Sequence, residues 1–243
     1  MQWWLGDWWA YGEHAYGERA NAVKSDDWEG PAFGTCMNAA TVCRKFEASR
    51  RREVLSFNIH VEAAALPIEW QDKILDWATS GDDGRPRTIR AIRDEVKQKR
   101  AFLSQGWTPD QLDRKAAAEA GECVVANMRN DTSGDRKIDE ALINWAEAEG
   151  RFVRVDRKTE WGNPFEMPGD GDRATVCASF AKFYLPNKPS LLCDIATLPG
   201  QVLGCWCHPE ECHAHIIAEV ANRVTKGEGT PEEIADLLAD IDG

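Results

Sequence analysis

The sequence predicts an α/β protein in two parts: an all-helical, helix-turn-helix-like N-terminal domain and a small, mostly parallel α/β domain with a zinc-type Cys/His site. Three observations lead to this fold class. Residues 1–104 space their apolar side chains as helices do and show no strand pattern. From about residue 119 onward, short β-branched runs alternate with helical segments. The stretch GCWCHPEECHAH, residues 204–215, holds three cysteines and three histidines.

The first hundred residues are predicted to form several short helices joined by tight turns. WWLGDWWAYGEHAYGERANAV and FGTCMNAATVCRKFE carry apolar residues at helical spacing. Ser56 is a cap-type residue before FNIHVEAAAL, and Pro67 lies at the first turn of IEWQDKILDWA. After the linker GDDGRPRT, the stretch TIRAIRDEVKQKR is predicted to form a basic helix. This succession predicts a helix-turn-helix-like bundle, residues 1–104, that could bind DNA.

A linker helix, residues 105–118, leads into the predicted α/β domain, residues 119–227. Thr108 and Gln111 form a capping box at the start of the linker helix, with Pro109 at its first helical position. ECVVANM and RFVRVDR are predicted strands that flank a helix, KIDEALINWAEAEG. This β-α-β unit predicts a parallel sheet, because parallel strands need a crossover connection.

The remainder of the α/β domain alternates helices with a third strand. RATVCASFAKFY is predicted to be a helix whose apolar stripe consists of Val176, Phe180, Phe183 and Tyr184. SLLCDIATL is a predicted short helix, QVLGCW the third strand and HAHIIAEVANRV the next helix. A last helix, in residues 228–243, opens with a capping box from Thr230 to Glu233.

The composition is that of a soluble globular protein, with 43% hydrophobic and 29% charged residues. No apolar run approaches about eighteen residues, so we expect no membrane span. The N-terminus lacks the pattern of a secretion signal, and we expect a cytoplasmic protein whose cysteines are thiols or metal ligands rather than disulfides. Five isolated cysteines are expected to be buried as small hydrophobic side chains: Cys36, Cys43, Cys123, Cys177 and Cys193.

The net charge of −12 is unevenly distributed. Residues 1–100 carry 15 Lys and Arg against 16 Asp and Glu, whereas residues 101–243 carry 14 against 25. The acidic second half argues against a broad nucleic-acid surface there. The first half contains a basic cluster that is either a solvated helix end or a patch that contacts the phosphates of duplex DNA: Arg44, Lys45, Arg50, Arg51 and Arg52.

The Cys/His stretch has the make-up of a metal site. Cys205 and Cys207 end the third predicted strand, and Cys212 opens the next helix. Tetrahedral Zn²⁺ sites are assembled from such ligands on two adjacent elements. The predicted ligands are Cys205, Cys207, Cys212 and either His213 or His215; Cys212 and His215 are three apart and would share a helical face. Two alternatives stay open, a reactive Cys–His site and inert packing.

Two motifs support a resemblance to a known family. RVDRKTEWGNPFEM and, further along, LPGQVLGCWCHPEECHAHIIAEVAN resemble the bacterial and phage domain-of-unknown-function family 4326, which is marked by W-G-N-P-F and C-W-C-x-P-x₂-C-H. The resemblance covers about residues 120–225 and favours His213 over His215 as the essential histidine. It implies no activity. The matching positions are Trp161 to Phe165 in the first motif and Cys205, Trp206, Cys207, Pro209, Cys212 and His213 in the second.

The W-G-N-P-F motif is either a rigid structural turn or one wall of a ligand pocket. Gly-Asn-Pro favours a turn, and Asn163 offers both a donor and an acceptor between two aromatic residues. A flat polar ligand such as a nucleobase would suit such a pocket at the carboxyl end of a parallel strand. Asp156 and Cys205 both lie at predicted strand ends, so the two motifs are expected to converge. The candidate ligand-binding residues are Arg154, Asp156, Arg157, Trp161, Gly162, Asn163, Pro164 and Phe165.

Two functions from different classes are compatible with these patterns. Residues 3–100 resemble helical segments of actinobacterial and phage plasmid-partition-like regulators, which suggests a phage or mobile-element DNA-binding protein with a zinc-stabilised, nucleotide-binding α/β domain. The alternative is a nucleotide- or nucleobase-processing enzyme, a hydrolase or transferase, with Asp156 and Asn163 as candidate catalytic residues beside the Cys/His cluster. The complete zinc-deaminase signature, the P-loop and G-x-G-x-x-G are absent from the sequence, which favours binding over a reaction.

Overall fold

The computed structural model divides the chain after residue 104: Met1–Ser104 form one unit and Gln105–Gly243 a second. The structure describes residues 2–15, 23–25, 27–81, 84–134, 136–224 and 230–239. Part of the first predicted helix, residues 16–22, and both ends of the last predicted segment lie outside the described residues. No helix within these ranges is both long and apolar enough to cross a membrane.

The first unit consists of helices and turns over its described residues. Its elements are α1 (Gln2–Ala15), α2 (Phe33–Lys45), a 3₁₀ turn (Ala48–Arg50), α3 (Phe57–Ala63), α4 (Ile68–Thr79) and α5 (Ile89–Ser104). Leu5 and Trp9 of α1 are buried against Cys36 and Ala40 of α2. The two helices approach closely at Gly6, where a Cβ atom would lie only 2.6 Å from a carbonyl oxygen of α2. The predicted helical N-terminal region is confirmed.

The second unit begins with a capped helix and ends with another. Its elements are α6 (Pro109–Glu119), β1 (Val124–Asn127), α7 (Glu140–Ala148), β2 (Phe152–Arg154), α8 (Arg173–Ser179), a π-helical turn (Phe180–Tyr184), a 3₁₀ turn (Leu185–Asn187), α9 (Pro189–Ile195), β3 (Val202–Cys205), α10 (His213–Arg223) and α11 (Pro231–Ala239). Both predicted capping boxes form: Thr108 and Gln111 bond reciprocally at α6, as do Thr230 and Glu233 at α11.

The three strands form a parallel sheet in the order β1-β3-β2. The sheet is parallel as predicted, but β1 and β2 are not neighbours, because β3 lies between them. Val202 of β3 is in register with Val124 of β1 and Phe152 of β2. Consequently Cys205 lies beside Asn127 at the carboxyl edge of the sheet, where the loops after all three strands meet.

Alternate strand residues face two apolar cores. Val125 and Leu203 point to a core that includes Phe180 and Ile217, whereas Val124 and Val202 face Leu142, Ile143 and Ala146. Helices therefore cover both faces, as parallel sheets require. Complete burial of one such side chain contributes about 1.5–3 kcal/mol to stability. These cores fix the strand ends that carry the site.

Two expectations about cysteine burial are wrong. Cys193 is exposed and Cys177 is only partly buried, whereas Cys36, Cys43 and Cys123 are buried as expected. In α9 the core-facing positions are Leu191, Leu192 and Ile195, so the intervening Cys193 points away from the core.

Candidate metal centre and adjoining pocket

Three buried side chains meet where β3 ends and α10 begins. Cys205 is the last residue of β3, Cys212 is the N-cap of α10 and His213 is its first residue. Their ligand atoms all lie within 4.8 Å of one another, and the sulfur atoms of Cys205 and Cys212 are 3.6 Å apart. This cluster could hold a metal ion.

The spacing of the donors fits a tetrahedral thiolate site. With bonds of about 2.3 Å between zinc and sulfur, two thiolates on a tetrahedron are separated by about 3.8 Å, close to the observed distance. The ring of His213 is fixed by its own contact, because its Nε2 lies 2.6 Å from the carbonyl oxygen of Val155. A carbonyl can only accept, so Nε2 carries the hydrogen and Nδ1 keeps a free lone pair. Metal-binding histidines are oriented in this way.

Cys207, the fourth predicted ligand, lines the adjoining pocket and is not one of the three residues whose ligand atoms all lie within 4.8 Å of one another. Hydrogen bonds from the thiols of Cys205 and Cys212, together with the guanidinium of Arg173, lower the pKa of Cys207 to about 2. The same interaction with Cys207 raises the pKa of Cys205 to about 11, and the thiols of Cys205 and Cys207 raise that of Cys212. The three thiols therefore interact with one another, and Cys207 is the one whose thiolate form is favoured.

His215 has a different role from His213 in this geometry. The backbone N–H of Cys212 donates to Nδ1 of His215 over 3.2 Å, and Nε2 of His215 lies 3.2 Å from Nδ1 of His208. His215 thus completes a capping box at the start of α10. Although Cys212 has extended backbone geometry outside the helix, its sulfur lies 3.6 Å from Nδ1 of His215, so these two residues are close together as predicted.

A cavity of about 460 Å³ opens beside the cluster. Of the predicted ligand-binding residues, Asp156, Arg157, Asn163 and Phe165 line it, whereas Arg154, Trp161, Gly162 and Pro164 do not. The predicted convergence of the two motifs is thus seen in the structure. The other lining residues are Lys158, Met167, Arg173, Val176, Cys177, Trp206 and the Cys/His set Cys205, Cys207, Cys212 and His213.

The polar groups of the W-G-N-P-F loop mainly hold the loop together. The amide of Asn163 donates to the carbonyl of Val176 and accepts from the N–H of Phe165, each over 2.9 Å. Trp161 is buried in the core. A Cβ atom at Gly162 would lie 2.4 Å from the Cα of Arg157, so this position requires glycine. These contacts correspond to the rigid structural turn, and they shape one wall of the pocket.

Asp156 fixes an aromatic wall of the pocket. Its carboxylate accepts two bonds from Arg154, over 2.8 and 2.6 Å, and one from the indole N–H of Trp206 over 2.8 Å. The Arg154 guanidinium, helped by Trp206, holds the pKa of Asp156 well below its usual range. Asp156 is therefore ionised at neutral pH and has no proton to give. Trp206 is 43% exposed although its indole N–H is bonded to Asp156, so part of the residue remains accessible to a ligand.

Sequence reasoning did not place Arg173, Cys177 or Trp206 in a ligand pocket, which all three line. Arg173 and Cys177 are four apart in α8, and this helical spacing is the signal that could have placed both on the pocket. Trp206 lies inside the C-W-C motif, where a side chain between two strand-end cysteines is carried to the same edge of the sheet.

The predicted DNA-contacting cluster in the first unit is largely paired within that unit. Arg51 bonds Asp7 at 2.5 Å, and Arg50 and Arg52 pair with Asp72 and Asp76 at 3.1 and 2.8 Å. The ammonium group of Lys45 donates to the carbonyl of Ala64 over 2.6 Å, and Arg44 is exposed. The triple arginine thus ties the 3₁₀ turn and the residues after it to α1 and α4.

The second unit defines the class of the protein: a small parallel α/β domain with a Cys/His cluster and a ligand-sized pocket at the carboxyl edge of its sheet. The chain belongs to the family described as "Domain of unknown function (DUF4326)", whose family model matches residues 143–223. The family resemblance of the two motifs is thereby confirmed.

Two curated proteins are similar over part of the chain. "Transcriptional regulator NovE" of Streptomyces niveus is 41% identical over 92 residues, which are 37% of this chain and 41% of that protein. "Uncharacterized 12.4 kDa protein in nrdA-td intergenic region" of Enterobacteria phage T4 is 31% identical over 87 residues, which are 35% of this chain and 80% of the phage protein. No solved structure matches.

Proposed function

We propose that the protein is a phage- or mobile-element-associated DNA-binding regulator whose α/β domain holds one Zn²⁺ and binds a nucleotide or nucleobase-like ligand. The observation that carries the proposal is that the Cys/His cluster and the pocket share one sheet edge. The names of the relatives, one a transcriptional regulator and one a phage protein, support the regulatory and phage parts.

Zinc is proposed to bind Cys205, Cys207, Cys212 and His213. Three thiol groups and an imidazole are the donor set that zinc prefers, and four protein ligands leave no open position for a reacting group. The metal would then stabilise the α/β domain, since its binding free energy becomes folding free energy. The guanidinium of Arg173 beside Cys207 offsets the net negative charge of a site with three thiolates.

The ligand is proposed to be flat and to carry a negative group. Phe165, Met167 and Trp206 offer apolar and aromatic surface, and Lys158 and Arg173 bring positive charge to the same cavity. A nucleobase stacked on aromatic rings contributes about 1–3 kcal/mol in other binding sites. A cavity of about 460 Å³ lies within the usual range for small-molecule sites.

The test combines metal analysis with a ligand titration of the whole protein. Purified protein should contain one zinc per chain, and calorimetric titration with the four common ribonucleoside monophosphates should detect binding of at least one. Trp206→Ala should weaken that binding about five- to a hundred-fold, as the stacking energy implies, while zinc content is unchanged. Purified protein without metal would contradict the zinc site. Equal nucleotide affinities of the unmodified chain and Trp206→Ala in the calorimetric titration would contradict ligand binding in the pocket.

The alternative function, a nucleotide- or nucleobase-processing enzyme, has one observation in its favour. Cys207 lines the pocket and is only partly buried, so a bound ligand would lie next to a thiol. Rapid alkylation of Cys207 by iodoacetamide in protein that contains no metal would favour this alternative. Protection of Cys207 in protein that contains zinc would favour the binding function.

DNA binding is proposed to belong to the helical first unit. The sequence-based contacts are Arg44, Lys45, Arg50, Arg51 and Arg52. In the structure three of these arginines already bind carboxylates, so a phosphate would have to compete with Asp7, Asp72 or Asp76.

A further inference from the structure

Helix α5 carries a stripe of positive charge that is separate from the paired arginines. Arg90, Arg93, Lys97 and Arg100 follow one another at intervals of three or four residues. At 100° per residue they fall within an arc of about 80°, and at 1.5 Å per residue they extend over about 15 Å. All four are exposed, while Ile92 and Val96 of the same helix are buried on another face.

The stripe is largely free of compensating carboxylates. Arg93 pairs with Glu62 at 2.7 Å. Within the described ranges of the chain, the side chains of Arg90, Lys97 and Arg100 form no ion pair or hydrogen bond. The acidic residues of α5 lie elsewhere: Glu95 pairs with Lys99, and Asp94 borders the stripe without pairing with it. The positive charge of Arg90, Lys97 and Arg100 is therefore available to an external anion, unlike that of Arg50–Arg52.

We infer that this α5 stripe, defined as Arg90, Arg93, Lys97 and Arg100, is the surface that contacts the phosphates of duplex DNA. The inference rests on the proposed DNA-binding function and locates its interface. A shallow groove of about 420 Å³ runs along the stripe between α3 and α5 and could seat a phosphate group; it is lined by Glu62, Arg93, Val96, Lys97, Arg100 and Ala101.

The geometry favours duplex DNA over other polyanions. A single helix fits the major groove of DNA, which is about 12 Å wide, whereas the deep and narrow major groove of duplex RNA excludes it. Binding to an anionic membrane would need large apolar side chains beside the cations, and the exposed neighbours here are Asp94, Gln98 and Ala101. Successive cations lie about 4.5–6 Å apart along the helix axis, which suits a row of phosphates.

The experiment measures binding of the full chain to a 30-base-pair duplex by fluorescence anisotropy between 50 and 200 mM salt. The variant combines Arg90→Ala, Lys97→Ala and Arg100→Ala, exposed helical positions where alanine preserves the helix. If each side chain contacts one phosphate, the slope of log affinity against log salt should fall by about 2.7. At 100 mM salt the affinity should fall about tenfold or more.

Two control variants distinguish the α5 stripe from positive charge elsewhere in the chain. Lys115→Ala, Arg136→Ala and Arg223→Ala remove the same charge from the second unit and should leave the slope unchanged. Arg50→Ala, Arg51→Ala and Arg52→Ala test the sequence-based contacts and should lower the melting temperature, because they leave Asp7, Asp72 and Asp76 unpaired. A salt slope that falls in this variant and stays unaltered in the α5 variant would overturn the α5 stripe.

Failure of the inference and failure of the proposed function give different results. Absence of any anisotropy change for the unmodified chain at 50 mM salt would overturn DNA binding itself. If the unmodified chain binds DNA and the α5 variant has the same slope of log affinity against log salt, only the α5 stripe would be overturned. The α5 stripe would also be overturned if the Lys115, Arg136 and Arg223 control lost as much DNA affinity and salt slope as the α5 variant. It would likewise be overturned if the unmodified chain bound vesicles of phosphatidylcholine and phosphatidylserine, at a ratio of 3:1, more tightly than the duplex.

Discussion

Replacement of His213 or of His215 by alanine tests which imidazole belongs to the proposed metal centre. His213 is buried and bonds Val155, and His215 accepts the N–H of Cys212. Whether or not metal is bound, His213→Ala therefore loses its hydrogen bond to Val155, and His215→Ala loses those with Cys212 and His208, at about 1 kcal/mol each. His213→Ala should lose a metal ligand in addition.

The size of the additional loss follows from linkage. Mutation of a residue that hydrogen-bonds to a metal ligand typically lowers metal affinity about 10–100-fold. Loss of a ligand itself should lower the affinity by more. A thousand-fold weaker affinity would remove about 4 kcal/mol of metal-dependent stability. For a domain of this size the melting temperature would fall by about 10 °C in zinc buffer. His215→Ala should keep the full zinc-dependent shift.

The assay is scanning calorimetry of the full chain with and without excess zinc, together with zinc content by atomic emission. The zinc-dependent shift of the melting temperature is compared among the unmodified chain, His213→Ala and His215→Ala, so effects common to both metal states cancel. A shift that disappears in His215→Ala but survives in His213→Ala would refute the assignment. An equal shift in all three proteins would refute histidine ligation altogether.

Two structural contacts behind the site give further predictions. Burial alone would raise the pKa of Asp139, but hydrogen bonds and charge from Arg114 outweigh burial and lower this pKa. The Arg114–Asp139 pair therefore stabilises the fold above about pH 4, and its contribution is lost as pH falls below that value. Arg114→Met should therefore cost about 3–5 kcal/mol at pH 7 and less near pH 4, measured by urea unfolding; a cost independent of pH would contradict this. Gly162→Ala should destabilise the second unit by about 1–3 kcal/mol, because its Cβ would overlap the backbone of Arg157, and normal stability in the same assay would show that the loop relaxes.

The sequence by itself determined the features that depend on neighbours along the chain. The capping boxes of α6 and α11 each involve residues three apart, so their pattern is sufficient to predict them. The three strands and their parallel arrangement follow from short β-branched runs separated by helices. The C-W-C and C-H motifs placed Cys205, Cys212 and His213 at the end of a strand and the start of a helix.

Local pattern failed where the backbone left regular geometry. The predicted stripe of Val176, Phe180, Phe183 and Tyr184 assumed one continuous α-helix. A π-helical turn follows α8, and Phe183 is 59% exposed. Because a π turn holds more residues than an α turn, it shifts the side chains after it around the axis.

Only the tertiary structure decided how charges are used and which strands are neighbours. Arg51 and Asp7 are far apart in sequence, and Arg50 and Arg52 pair with residues of α4. A count of charges could not distinguish these arginines from three cations of α5 that form no ion pair within the described residues: Arg90, Lys97 and Arg100. Likewise β3, the last strand among the described residues, lies between the first two and so carries Cys205 to the pocket. Charge pairing and strand order depend on contacts between distant segments, and those contacts are set by the burial of apolar faces, which the order of residues along one segment does not specify.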